Sequence, residues 1–307
     1  MSDILKAIGN TPIVKLKNIV PFGCGEIYVK LEAFNPTGSK KDRMALSMIL
    51  GAEKRGVLKK GMTVVEYSGG STGAGLAFVC SLKGYNFRLV TADVFGKEKI
   101  DLMRSLGANL EIIKSSNGKI NKELITKMIK KADQISKEPN TFFTNQLNNT
   151  DVIEGFIPLG EEILDQLNGN IDAVCDTVGT AGTLMGIAKA LKKAKSKCKV
   201  VAVEPSSSPI LSKGIKGSHN VEGVGLGFVP NIYDEKLVDN VISIDESVAR
   251  QTCKDLAKKE GIFCGTSSGM NVAAAIQISK QLGPKSKVVT IACDSGLKYL
   301  SEGLFDD

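Results

Sequence analysis

The sequence is short of the residues that most metal and hydrolytic centres use. It holds one histidine, His219, and no tryptophan, and aromatics make up 5% of the 307 residues. The seven cysteines (Cys24, Cys80, Cys175, Cys198, Cys253, Cys264, Cys293) are odd in number and scattered, and none are spaced C-x-x-C. That excludes a paired-cysteine redox motif and a zinc site of ordinary ligand spacing, and it predicts reduced, mostly buried thiols with no metal centre. No apolar run approaches the roughly 18 residues of a membrane span. The first ten residues lack a charged head followed by an apolar core, so no membrane association or secretory leader is expected and the compartment reads as cytoplasmic. There is no G-x-x-x-x-G-K-[ST] and no Gly-rich loop spelling G-x-G-x-x-G, which weighs against ATP and NAD.

What is present is ordinary for a globular chain: 42% hydrophobic and 24% charged residues, enough for a large core. At this length a core tends to split into two lobes of roughly 100 to 200 residues. The net charge of +7 comes from 40 basic and 33 acidic residues. They alternate in most windows, so nucleic-acid binding is not implied. The densest basic run, 192–199, follows an apolar helical stretch and reads as a solvated helix end.

Short β-branched runs alternate with helical patterns: 62–67 then 75–82, 87–92 then 97–106, 173–178 then 184–191. The alternation predicts an α/β fold with mostly parallel strands. A helix over 120–137 has Leu124, Ile125, Met128, Ile129, Ala132 and Ile135 at three-and-four spacing with lysines elsewhere, so one face packs and the other is wet. A strand, Gly-rich loop and helix occur twice, at 64–82 and 173–191. Ligands of open α/β sheets bind beyond the carboxyl ends of strands, so both loops are candidates to face one cleft.

The first loop is Ser68, Gly69, Gly70, Ser71, Thr72 and Gly73; the second is Gly179, Thr180, Ala181, Gly182 and Thr183. Glycines let a backbone approach a ligand, hydroxyls donate, and a helix start offers free N–H groups at the positive dipole end. Either loop suits a phosphate or carboxylate. Two G-x-S-x-G matches, 69–73 and 265–269, raise a serine hydrolase. The hydrolase order Ser, Asp, His rules out Ser267, which follows the only histidine, and leaves Ser71 with Asp176 and His219. A surface-loop histidine is the plainer reading of His219.

The segment 35–43 reads N-P-T-G-S-K-K-D-R and leads into a helix over 44–55. A lysine at a helix start lies in the positive end of the dipole, which disfavours its charged form. A neutral amine beside anion-holding loops is what a phosphate-bearing aldehyde cofactor would need.

Together these segments resemble the pyridoxal-phosphate enzymes of the cysteine synthase and cystathionine β-synthase family, which share the fold of the tryptophan synthase β subunit. The resemblance runs nearly end to end. It begins with Ile8, Gly9, Asn10, Thr11, Pro12, then Lys30, Leu31, Glu32 and the N-P-x-G-S-x-K-D-R stretch. It continues with the two loops, Glu204 and Pro205, then E-G-V-G-L-G-F-V-P over 222–230 and G-I-F-C-G-T-S-S-G over 261–269. The resemblance implies two open twisted α/β lobes with the cofactor, pyridoxal 5'-phosphate, in the cleft between them. A smaller mobile lobe over 39–145 would bind the substrate carboxylate, and a larger lobe over 1–38 and 146–307 would bind the cofactor.

By the same resemblance Lys41 is the Schiff-base lysine and Lys40 fills a variable position. Gly179, Thr180, Ala181, Gly182 and Thr183 match the phosphate cup G-T-G-G-T, with Ala181 replacing one glycine. Ser267 matches the serine at the pyridine nitrogen, and a neutral hydroxyl there favours elimination at Cβ over transamination. Asp294 and Ser71 are further cofactor contacts. Ser68, Gly69, Gly70, Ser71, Thr72, Gln146 and Gly223 are assigned to the substrate. Two positions depart from the pattern, Gly69 for the usual serine and Ser71 for the usual asparagine at the cofactor's phenolic oxygen. The stretch Leu159, Gly160, Glu161, Glu162 also alters the family's T-G-P-E.

The implied activity is β-replacement on an amino acid through an α-aminoacrylate intermediate, with Lys41 taking the Cα proton. Cysteine synthase activity, O-acetylserine plus sulfide giving cysteine, ranks first. Sulfide-releasing replacement of cysteine or serine, forming lanthionine, cystathionine or serine, ranks second. A bare catalytic core is expected, without a regulatory or haem module and assembled as a homodimer like its relatives.

Overall fold

The computed structural model describes residues 3–116, 118 and 122–306. Ile120, where the periodic pattern of the fourth helix begins, lies outside the described residues. Ten strands among them form two sheets. β1 (Ile13–Lys15), β2 (Glu26–Leu31), β7 (Ala173–Thr177), β8 (Lys199–Pro205), β9 (Asn240–Ile244) and β10 (Lys287–Ala292) form a six-stranded sheet in the order β1-β2-β10-β7-β8-β9. β3 (Thr63–Tyr67), β4 (Asn86–Ala92), β5 (Asn109–Ile113) and β6 (Thr141–Phe143) form a four-stranded sheet ordered β5-β4-β3-β6. Every pair is parallel except β1 with β2. Parallel strands covered on both faces need apolar residues throughout, and all five residues of β7 are buried.

The helices are α1 (Lys41–Lys54), α2 (Ser71–Lys83), α3 (Lys97–Ser105), α4 (Lys122–Ser136), α5 (Asp151–Glu154), α6 (Ile157–Gln166), α7 (Gly182–Lys193), α8 (Ile210–Lys213), α9 (Glu246–Asp255) and α10 (Thr266–Leu282). The α/β alternation expected from the sequence is therefore present, with shifted boundaries. α1 starts three residues earlier than its apolar pattern, which makes Lys41 its first residue. α7 starts at Gly182, so the last two residues of the second Gly-rich loop belong to its first turn. On α4, Leu124, Met128, Ala132 and Ile135 are buried under the four-stranded sheet, whereas Ile129 is 37% exposed at the margin of the apolar stripe.

Each sheet has one strand from which the chain order runs in both directions. β3 lies between β4 and β6, and β7 lies between β10 and β8. The loops leaving β3 and β7 thus open at switch points, where neighbouring connections diverge and leave a crevice. Because β10 lies between β2 and β7, residues 293–295 lie beside the turn before α1: Ser39 bridges Asp294 and the Ser295 N–H donates to the Gly38 carbonyl at 3.0 Å. The seven cysteines are free, and all but Cys24 are buried. No helix among the described residues is long and apolar enough to cross a membrane.

Candidate active site

The K-D-R triplet divides into three jobs. Asp42 is fully buried and accepts the Thr37 N–H at 2.7 Å and the Thr37 hydroxyl, which closes the turn 37–42. Burial pushes its carboxyl up to about 6. Arg43 grips both oxygens of Glu32 at 2.8 and 2.9 Å and both of Glu162 at 2.7 and 2.8 Å. Glu32 also accepts from the Thr11 hydroxyl at 2.6 Å, and Lys30 pairs with Glu162 at 2.7 Å. The I-G-N-T-P and K-L-E stretches and the altered 159–162 segment are thereby one buried network that anchors α1. Glu162 lies in that network, and Gly160 is where α6 meets α7, since a Cβ there would lie 2.6 Å from the Ala190 methyl.

Lys41, held between these anchors, is partly exposed at the head of α1. Burial of its amine, with the Lys40 ammonium beside it, pushes its pKa down to about 8 against the pull of Cys293, Asp176 and Asp294. Such an amine has a minor but substantial neutral fraction near physiological pH, far more than an ordinary lysine.

The loop after β7 has little room for side chains. A Cβ on Gly179 would lie 1.9 Å from the Gly223 carbonyl oxygen, and one on Gly182 would lie 2.2 Å from Val152. The Gly225 N–H donates to the Val178 carbonyl at 3.0 Å, so the 222–230 stretch backs the loop. Ala181 caps α7 in the left-handed region at φ +71. Gly182, Thr183 and Leu184 present the N–H groups of a helix first turn, which have no intrahelical acceptor; the Gly182 N–H leans on the Thr180 hydroxyl at 3.4 Å, and the Met185 N–H is paired with the Ala181 carbonyl at 3.0 Å.

In the loop after β3, the Ser68 oxygen accepts the N–H groups of Gly70 and Gly73 at 3.1 and 3.2 Å, which braces the loop on itself. Thr72 donates to Gln146 Oε1 at 2.8 Å, and Gln146 donates through Nε2 to the Tyr67 carbonyl at 3.2 Å. The Gln146 N–H is held by the buried Glu66 carboxylate at 3.0 Å. Gly69 is where Phe95 packs: a Cβ there would lie 2.3 Å from the ring.

Ser71 faces Asp294, expected beside it at the cofactor, and Lys298, to which the sequence assigned no role. Lys298 Nζ donates to its Oγ at 3.1 Å, and Asp294 Oδ2 lies 3.4 Å away, itself accepting the Tyr299 hydroxyl at 2.8 Å. Lys99 is buried beside Gly70, pairs with Glu222 and Glu302 at 2.6 and 2.5 Å, and lies 4.3 Å from the centre of the Tyr299 ring. Ser267 lies in the first turn of α10, and its neighbour Ser268 accepts the Cys293 N–H at 2.8 Å, which sets that turn against the end of β10. The structure thus gathers Lys41, Ser71, Ser267 and Asp294 around residues 293–294, with Thr72 paired to Gln146 and Gly179 against Gly223.

The hydrolase triad is not formed. His219 Nδ1 accepts the Val221 N–H at 3.3 Å, which leaves the proton on Nε2 to donate to the Gly225 carbonyl at 2.9 Å. Asp176 is paired with Lys40 and Ser71 with Lys298. The histidine ties its own loop together, so that reading is withdrawn.

Residues 4–294 match the family described as pyridoxal-phosphate dependent enzyme. The chain belongs to that family. Its whole length is 41% identical over 313 residues to a cysteine synthase of Staphylococcus aureus (strain Mu50 / ATCC 700699), covering 98% of that protein. The cysteine synthase of Entamoeba histolytica superposes with a TM-score of 0.93 at 32% identity, over 100% of this chain and 91% of the other. A hydrogen sulfide-producing enzyme from Fusobacterium nucleatum superposes at 0.90 with 37% identity, over 98% of each. The fold is accordingly that of the tryptophan synthase β-like enzymes, and the cofactor of the family is pyridoxal 5'-phosphate.

The residues present fit that cofactor. An amine with a depressed pKa lies beside Asp176 of β7, and β7 leads into a loop whose glycine cannot carry a Cβ and which ends in a helix first turn. Asp294 Oδ1 is buried with no hydrogen-bond partner among the described residues, as expected of a group whose partner is a bound molecule.

Proposed function

We propose that the chain is a cysteine synthase: acetate leaves Cβ of O-acetylserine with its bonding electron pair, and sulfide adds there to give L-cysteine. When bound, pyridoxal 5'-phosphate supplies an aldehyde that condenses with amines and a ring that withdraws electrons from Cα. The cup 179–183 holds the phosphate through its N–H groups and hydroxyls, the Ser267 hydroxyl meets the pyridine nitrogen, and Ser71 and Asp294 line the ring. Ser68, Gly69, Gly70, Thr72, Gln146 and Gly223 bind the substrate, and the loop N–H groups with Gln146 take its carboxylate.

Lys41 anchors the cofactor and its freed Nζ accepts the Cα proton, a task suited to an amine near pH 8. That depressed amine, at the head of α1 among Lys40, Asp176, Cys293 and Asp294, is the observation that supports the assignment most. Movement of the 39–145 lobe toward the 1–38 and 146–307 lobe closes the cleft and excludes water. The active form is a cytoplasmic homodimer.

A second reading changes the substrates and keeps the site: cysteine or serine as donor, with sulfide released from cysteine. Gly69 and Ser71 favour it, because they alter the two side chains nearest the substrate and the ring, and a relative of this shape is a hydrogen sulfide-producing enzyme. Purified enzyme given O-acetylserine and sulfide should form cysteine far faster than it releases sulfide from cysteine alone; the reverse order supports the second reading. Lys41→Ala should abolish both reactions and borohydride fixation of the cofactor to the chain, and an active Lys41→Ala enzyme would refute both.

A further inference from the structure

Lys40, the neighbour of Lys41, takes part in an ion pair that the chemistry above does not use. Its Nζ lies 2.7 and 3.0 Å from the two oxygens of Asp176, with Lys40 5% and Asp176 0% exposed. Asn271 Nδ2 donates to Asp176 Oδ1 at 2.7 Å and to the Ile291 carbonyl at 2.8 Å, while Asn271 Oδ1 accepts the Thr177 N–H at 2.7 Å. The Lys40 N–H donates to the Cys293 carbonyl at 2.9 Å. The pair therefore ties the turn that carries Lys41 to β7, which leads into the cup, to α10, which carries Ser267, and to the end of β10 beside Asp294.

A buried ion pair is a poor device for stability alone, since an apolar pair of similar volume often serves as well. We propose that Lys40 and Asp176 are a positioning pair for Lys41. They fix its turn against the three elements that carry the other cofactor groups, and they hold a permanent positive charge next to its amine. Asp176, already satisfied by Lys40 and Asn271, is kept from pairing with Lys41 itself. The charged and titratable groups around Lys41 are Lys40, Cys293, Asp176 and Asp294. Burial and Lys40 favour the neutral amine, and the other three favour the charged one.

The inference rests on Lys41 being the reacting amine, so the decisive measurement reads the amine without turnover. The full-length chain freed of cofactor is pulsed with acetic anhydride from neutral to alkaline pH, and acetylation of Lys41 is followed by mass spectrometry. In Lys40→Met the midpoint for Lys41 should move up by about one pH unit or more, and Lys40→Arg should restore it. Should the unpaired Asp176 unfold Lys40→Met, the double variant Lys40→Met, Asp176→Leu removes both charges and should still titrate above wild type. A wild-type midpoint in these variants, or failure of Arg to restore it, overturns the proposal. The acid limb of the loaded enzyme's pH–rate profile should move up with the midpoint. A midpoint that moves while the limb stays put supports the positioning pair and refutes Lys41 as the base.

Discussion

Lys298 donates to the hydroxyl oxygen of Ser71 at 3.1 Å across 227 positions of sequence. Burial pushes the Lys298 amine down, and Asp294 and Asp42 pull it back toward its charged form. With its oxygen accepting that N–H, Ser71 directs its own proton to Asp294 Oδ2 in a long hydrogen bond of 3.4 Å. Lys298 and Asp294 thereby hold the serine hydroxyl between them, an orientation its short side chain could not keep unaided. Lys298→Met should lower kcat/KM by about tenfold, the cost of one lost charge-assisted hydrogen bond. Ser71→Ala should do the same, and the double variant should be no worse than either single one. Simple additivity in the double-mutant cycle would mean that Lys298 does not act through Ser71.

Gly69 and Phe95 form a second coupled pair. The aromatic ring fills the volume that a side chain at position 69 would need, with 2.3 Å between a Cβ and the nearest ring carbon. Putting the usual serine back as Gly69→Ser should cost about 1–3 kcal/mol of stability, the range for overpacking. Phe95→Leu in the same chain should recover most of it. Thermal unfolding of the two single variants and the double checks this. If Gly69→Ser is as stable as wild type, the ring is free to move and the pair is not coupled.

At the cup, Ala181 sits at φ +71, a conformation that costs a residue with a Cβ about 1 kcal/mol or more. Ala181→Gly relieves that strain but gives the unfolded chain more freedom. The two effects are of similar size, so the unfolding midpoint should change little and cofactor affinity should stay within about threefold of wild type. Gly179→Ala is the opposite case, because its methyl would meet the Gly223 backbone. It should release the cofactor readily, and equilibrium titration distinguishes the two variants.

How much of this was readable beforehand depends on the distance over which each signal acts. The strand, loop and helix units were legible because period and punctuation are local, and a helix start just after the Lys40-Lys41 pair followed from the residues around it, whereas the choice of Lys41 came from the family resemblance. The pairing of Thr72 with Gln146, and of Lys40 with Asp176, depends on which strands lie side by side. No periodicity reports that β10 inserts between β2 and β7. Lys298 could be given no role for the same reason: the stretch 294–300 stands out as a motif, but Lys298 lies in a short 3-10 segment, Gly296–Glu302, whose neighbours across the chain no local pattern reports. At His219 chain order allowed a triad that the loop geometry does not form, and the plainer reading, a loop histidine, is the one its hydrogen bonds bear out.

Glu66 yields a prediction whose sign can be worked out. Fully buried at the end of β3, it accepts the Thr144 hydroxyl and the N–H groups of Tyr67 and Gln146. Burial nevertheless dominates and pushes its carboxyl from 4.5 up to about 7. Between those values the folded chain binds more of this proton than the unfolded chain, so the stabilising contribution is complete below pH 4.5 and is lost as pH rises through 7. The loss amounts to something on the order of 3 kcal/mol. Glu66→Gln cannot ionise and keeps an acceptor for Gln146, so its stability should fall less than that of wild type over the same interval. Asp42, also raised, is common to both proteins and cancels in the comparison. Denaturant unfolding at mildly acid and mildly alkaline pH decides it: parallel curves for the two proteins would mean that Glu66 is ionised in the folded chain throughout, held by its three donors against the cost of burial.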